Sequence, residues 1–176
     1  IAMISFIYSI TNTTAAVTLL CLAAMPFFTA LLAFIFLKEQ ISLNVWITII
    51  IATIGIVIMA FGSTGQSSLV GFVFGITSSV GFSIFSVTLR WRKETPKFTT
   101  VAFAGLFCLI FAAFMILIKN QIFFSTSYNS SLFSLHGTLV CLGLILYSIG
   151  SKAIPAAELT LLSLTEVIGG IFWVWL

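Results

Sequence analysis

The stretch AAVTLLCLAAMPFFTALLAFIFLKEQ (15–40) decides the fold. It runs through 14–37 without one charged side chain and closes on Lys38-Glu39-Gln40, a tight polar turn. About 20 mostly apolar residues cross the hydrocarbon core of a bilayer. Similar runs lie on both sides. Residues 1–11 read as the tail of a spanning helix, and 42–61, 69–89 and 98–118 as full spans. Residues 134–151 read as a slightly short span and 156–176 as the last. The runs are too long for strands and lack strict alternation.

Composition agrees. Hydrophobic residues make up 61% of the chain and charged residues 6%, against about 25% charged in a soluble domain. So few charges cannot coat a water-facing surface. A net charge of +3 with no large basic cluster argues against nucleic acid. Cys21, Cys108 and Cys141 sit inside apolar runs without metal-ligand spacing and read as small buried hydrophobes. The chain opens on Ile1 inside an apolar run and stops at Leu176 within a helix, so truncation at both ends is expected.

The connections use breaker residues. They are Thr11-Asn12-Thr13-Thr14, the Lys38 turn, the Gly/Ser-rich linker 63–68 and the charged loop RWRKETPK (90–97), where Pro96 starts the next helix. The longest is NQIFFSTSYNSSLFSLH (120–136), whose aromatic residues suit the headgroup layer. With loops placed on alternate sides, Lys38, Arg90, Arg92, Lys93, Lys97 and Lys152 share one side and Lys119 falls on the other. Positive charge concentrates on the cytoplasmic side, which makes the first side cytoplasmic, the plasma (inner) membrane being the expected location.

TTAAVTLLCLAAMPFF (13–28) can be laid over IPAAELTLLSLTEVIG (154–169), so that Ala15, Ala16 and Leu20 meet Ala156, Ala157 and Leu161. Upstream, Tyr8-Ser9-Ile10 resembles Tyr147-Ser148-Ile149. The copies start an odd number of spans apart, so they cross the membrane in opposite directions. Inverted-topology repeats are a common plan of secondary transporters.

On these residues the chain resembles the EamA-type transporters of the drug/metabolite transporter superfamily. Residues 15–40 look like the fourth helix of an EamA repeat, with mid-helix Pro26 and closing Leu37-Lys38-Glu39. SIGSKAIPAAELTLLSLTEVIGGIFWVWL (148–176) looks like the same region of the second repeat, except that Val167 stands where the family usually has Pro after the mid-helix Glu. The resemblance implies an all-α transmembrane helix bundle of two inverted five-helix repeats. This chain would hold helices three to nine of ten, with 1–62 in the first repeat and 69–176 in the second. It also implies a small organic metabolite as substrate. Homodimerisation stays open, and no cofactor is implied.

Polar groups at membrane depth carry the candidate chemistry. Glu166 lies about 16 Å along the helix from Pro155 at 1.5 Å per residue, near the middle of a core roughly 30 Å thick. A carboxylate facing lipid there is costly. On a helical wheel Leu161, Leu164, Ile168, Ile171 and Trp175 form an apolar stripe, while Glu158, Ser163, Thr165, Glu166, Gly169 and Gly170 lie opposite. Glu166 is therefore expected to face the bundle or a water cavity, as a substrate or proton site or as a hydrogen-bonded structural acid. Ser163, Thr165, Pro26, Tyr147 and Trp173 join it as candidates for the pathway. Glu158, just after Pro155, reads as helix-start stabilisation, with Lys152 as a potential partner. Gly71 and Gly75 read as helix contacts. Gly81, Ser79 and Ser83 are open to packing or to lining a cavity.

The rival classes lack their parts. A hydrolase needs a nucleophile with a base, and the single His136 sits beside a loop. A metal site lacks ligands, with one His and no Asp. A channel filter is not visible. A multi-helix receptor or scaffold stands as the alternative to a transporter working by alternating access, driven by an ion gradient, with a proton at Glu166 as the hypothesis, or by the solute gradient itself.

Overall fold

The computed structural model describes residues 1–62, 68–91, 94, 96, 98–119 and 127–176. The linker residues 63–67, residues 92, 93, 95 and 97 of the charged loop, and residues 120–126 lie outside these. The described residues are helical with no strand. Five helical stretches among them are long and apolar enough to cross a membrane, namely Ala15–Leu37, Leu69–Trp91, Thr99–Ile118, Tyr128–Gly150 and Ala156–Trp173. Leu43–Gly62 is 20 residues long and also suffices by length. The chain is an integral membrane protein of all-α class.

In chain order the helices are α1 (Ala2–Asn12), α2 (Ala15–Ala23), α3 (Met25–Leu32), α4 (Leu43–Gly62), α5 (Leu69–Trp91), α6 (Thr99–Lys119), α7 (Ser127–Gly150), α8 (Ala156–Leu162) and α9 (Leu164–Trp175). A π turn, Ala33–Leu37, continues α3 and ends on Lys38, whose φ of 52° is left-handed. Two compact units divide the chain: Ile1–Trp91 with Ile154–Leu176, and Arg92–Ala153.

In the first unit α5 is the central helix. It packs on α1, α2 and α3, while α2 packs on α9 and α3 on α8. Gly71, Gly75, Ser79 and Ser83 recur every four residues, so they share one face of α5. A methyl group at Gly71 would come within 2.7 Å of the Thr13 side chain, and one at Gly75 within 2.8 Å of Cys21. Only hydrogen fits at these two positions, and it lets the backbones of α1 and α2 close on α5. The seam also carries polar bonds, which lipid cannot replace. Ser9 Oγ donates to the Gly71 carbonyl at 2.8 Å and lies 2.9 Å from Thr18 Oγ1. Ser78 Oγ donates to the Ala2 carbonyl at 2.9 Å.

The second unit contains α6 and α7, which touch each other. Here the sequence reading needs one correction. The span expected at 134–151 begins at Ser127 and is 24 residues long, and the part of the expected headgroup segment that is described, 127–136, is helical. Ser and Thr suggest a loop, yet their hydroxyls bond to their own helix. Ser131 donates to the Tyr128 carbonyl at 2.8 Å, Ser134 to Ser130 at 2.9 Å and Thr138 to Ser134 at 2.8 Å. This back-bonding satisfies polar side chains inside a helix. His136 therefore lies within α7, not at a helix end beside a loop.

Candidate functional site

Two spanning helices of the first unit are broken near their middles. The first breaks at Ala24. Pro26 has no backbone N–H for the Leu22 carbonyl, and its ring crowds that carbonyl, so the α-helical ladder cannot run through. Ala24 N–H instead donates to the Cys21 carbonyl at 3.2 Å, a tightened turn, and a new helix starts with Pro26 in its first turn. The Cys21 carbonyl takes a second donor from α5, the Ser79 Oγ. Four residues on, Ser83 Oγ donates to the Met25 carbonyl at 3.0 Å. Pro26 is buried at this junction. Two hydroxyls along the seam have no partner among the described residues, Thr13 Oγ1 beside Gly71 and Thr29 Oγ1 at the break. Thr29 is fully buried. A helical Thr commonly bonds the carbonyl four residues back, here that of Met25, which Ser83 already occupies.

The second break is at Ser163, between α8 and α9. No proline causes it. Thr160 Oγ1 bonds the Ala156 and Ala157 carbonyls at 3.1 and 2.9 Å, and Ser163 Oγ bonds the Thr160 carbonyl at 2.7 Å. Side chains that bond the backbone three residues back compete with the helical ladder. The wheel drawn through an unbroken 156–176 therefore does not hold. The buried face of these two helices is Ala156, Ala157, Leu159, Thr160 and Val167.

Because α2 meets α9 while α3 meets α8, the two broken helices run antiparallel. Leu19 lies against Gly170 on one side of the breaks. On the other, Ala30 clusters with Ala157, and Ala33 with Ala156. This register sets Ala24 opposite Ser163.

Glu166 lies in the first turn of α9, just past the second break, and is exposed, as are Thr165 and Trp173. Thr165 Oγ1 donates to the Leu162 carbonyl at 2.7 Å, so its oxygen remains an acceptor. The site residues expected from sequence thus divide. Pro26, Ser163, Thr165 and Glu166 gather at the paired breaks, and Trp173 stands on α9 about two turns beyond Glu166. Tyr147 belongs to α7 in the other unit. Glu158 is exposed in the first turn of α8, after Pro155 as its N-cap residue. Gly71 and Gly75 line the close seam of α5. Among the described residues no three of His, Cys, Asp and Glu gather to hold a metal.

Residues 1–61, which include the first break, match the model of the EamA-like transporter family. Residues 1–61 are an EamA-like segment. The resemblance drawn from residues 15–40 is borne out there, and the EamA-like segment supplies one of the two antiparallel broken helices. The chain is also 30% identical over 94 residues to an uncharacterized transporter of Helicobacter pylori (strain J99 / ATCC 700824). That match covers 53% of this chain and 32% of the relative, so the chain spans about a third of the relative's length. No solved structure gives a significant match.

Sequence reasoning missed four contributors: Ser79 and Ser83 as donors to the first break, Thr29 as an unsatisfied hydroxyl, and Glu39. Glu39 reads as part of a polar turn in the sequence. In the structure its Oε1 accepts from Arg90 Nε at 2.7 Å and its Oε2 from the Ala156 N–H at 3.4 Å. Only a hydroxyl on the face of α5 shared with Gly71 and Gly75 could have signalled the first pair.

Proposed function

We propose that the chain is part of a secondary transporter that moves a small organic metabolite by alternating access. The observation that carries this reading is the pair of antiparallel spanning helices broken at the same level. Transporters built of inverted repeats place their sites at such interruptions, where peptide groups freed from the ladder meet a cavity. The match of residues 1–61 to a transporter family supports it. In this reading 1–62 and 69–176 belong to two inverted repeats, and the face holding Lys38, Arg90 and Lys152 is cytoplasmic in the plasma (inner) membrane.

Glu166 is the group we assign to substrate or proton binding. An exposed carboxylate on a spanning helix requires water or a polar partner, and the described helices do not enclose it. Protonation and deprotonation there would couple solute movement to a proton gradient. Ser163 and Thr165 offer hydroxyl oxygens beside it, while Pro26 fixes the opposite break.

The test is uptake and efflux of a mixed metabolite panel by vesicles holding the intact protein, with and without a pH gradient. Gradient-dependent movement of one solute class is expected. No movement of any solute by folded, inserted protein would overturn the reading in favour of a receptor or scaffold.

A further inference from the structure

Glu39 stands where three segments of the first unit meet. The left-handed turn at Lys38 reverses the chain after the first broken helix. Glu39, the next residue, divides its carboxylate between two partners. One oxygen takes Arg90 Nε in the last turn of α5, at 2.7 Å. The other takes the backbone N–H of Ala156 at the start of α8, at 3.4 Å. That N–H is one of the orphan donors of a helix start, and Pro155, the N-cap residue, makes no side-chain cap bond. The Arg90 and Glu39 side chains are only 12% and 22% exposed. Such a pair escapes most salt screening, and losing one partner leaves a poorly solvated charge behind.

The rest of this end is apolar. Below Glu39 the first broken helix meets α8 at Ala30, Ala33, Ala156 and Ala157, with Ile49 and Val87 buried against them and Leu32, Leu37 and Leu161 packed around. Beside this packing lies a cleft of about 20 Å³ whose lining includes Glu39, Ser42, Pro155, Ala157 and Glu158. That is room for about one water. Glu158 adds a second carboxylate to the same cleft. Once Glu39 leaves Arg90, the two carboxylates would repel.

We infer that Glu39 is a latch. It holds the Lys38 face of the first unit shut by tying the end of one broken helix to the start of the other, and a path from the paired breaks to that face opens when the tie is released. The inference deepens the alternating-access reading and rests on it.

The experiment is thiol labelling of the intact protein in sealed vesicles, with the native cysteines replaced and Ala157→Cys as reporter. Ala157 is 3% exposed and lines the cleft. A membrane-impermeant maleimide is supplied from the Lys38 face. With Glu39 present, labelling is slow. Glu39→Gln is expected to speed it at least tenfold, and Glu39→Asp to restore part of the protection. Arg90→Lys, which keeps the charge but loses the Nε donor, serves as the second variant should Glu39→Gln fail to fold, and is expected to speed labelling in the same direction. Unchanged labelling in a folded variant overturns the latch. Transport of the solute panel by the same vesicles separates the two claims. Solute movement with unchanged labelling removes the latch alone. Fast labelling without solute movement keeps the tie as the closure of this face and removes the transporter reading.

Discussion

The two broken helices of the first unit solve the same problem differently. At Ala24 the interruption comes from a proline, and serines of α5 donate to the Cys21 and Met25 carbonyls on either side of it in a buried seam. At Ser163 the interruption comes from hydroxyls bonding their own backbone, and the polar groups that follow, Thr165 and Glu166, are exposed. A break sealed by a neighbouring helix is a structural joint. A break that leaves a carboxylate uncovered at membrane depth has spare chemistry. In the function proposed here, the EamA-like segment supplies shape and α9 supplies binding.

The largest expected effect lies in the sealed seam. Gly75→Leu drives a side chain into Cys21 and Ser9, where even a methyl group would sit within 3.0 Å. Overpacking of this kind costs about 1–3 kcal/mol or more. The variant is expected to lose most folded protein in detergent, read by size-exclusion profile and thermal unfolding. Normal yield and unfolding temperature would mean that α1, α2 and α5 are not closely packed.

Next comes the open break. Glu166→Gln keeps the shape and removes the ionisable group. Transport is expected to lose its response to a pH gradient, with folding unchanged. Retention of the full pH response would take the proton role away from Glu166. Thr165→Val, measured for solute affinity, is expected to have a smaller effect of a few-fold, because its hydroxyl already donates to the Leu162 carbonyl across the break.

The smallest effects sharpen the comparison within the seam. Ser79→Ala leaves the Cys21 carbonyl without its side-chain donor and is expected to cost about 1 kcal/mol. Ser83→Ala is expected to cost less, because Thr29 can rotate onto the vacated Met25 carbonyl. Adding Thr29→Val to Ser83→Ala should restore the larger cost. Equal losses for the two serine variants would show that Thr29 does not substitute.

Much of the architecture was legible in the sequence because span length is a strong signal. An apolar run such as 98–118 needs no tertiary knowledge. Where the reading erred, hydroxyls were the cause. Ser127 through His136 look polar enough for a loop, yet they form helix by bonding their own carbonyls. The break at Ser163 has the same origin, and the spacing of Thr160 and Ser163 was its only advance sign. Pro26 marked the first break plainly. Its sealing by Ser79 and Ser83 depends on a neighbour far along the chain, which a wheel of either helix cannot supply. Glu39 is legible only as a polar turn until Arg90 and the start of α8 are placed beside it. Positive-charge counting sorts Lys38, Arg90 and Lys152 to one side without saying which acid meets which base.

The central claim is that the two broken helices cross antiparallel with their breaks level. Oxidative cross-linking of paired cysteines in the intact protein, in its native membrane and with other cysteines replaced, tests it most directly. Leu19→Cys with Gly170→Cys and Ala30→Cys with Ala157→Cys are expected to form disulfides readily, while Leu19→Cys with Ala157→Cys is not. A disulfide between positions 19 and 157, with none between 19 and 170, would mean that the helices do not pair in this sense, and the site at the facing breaks would fall with that pairing.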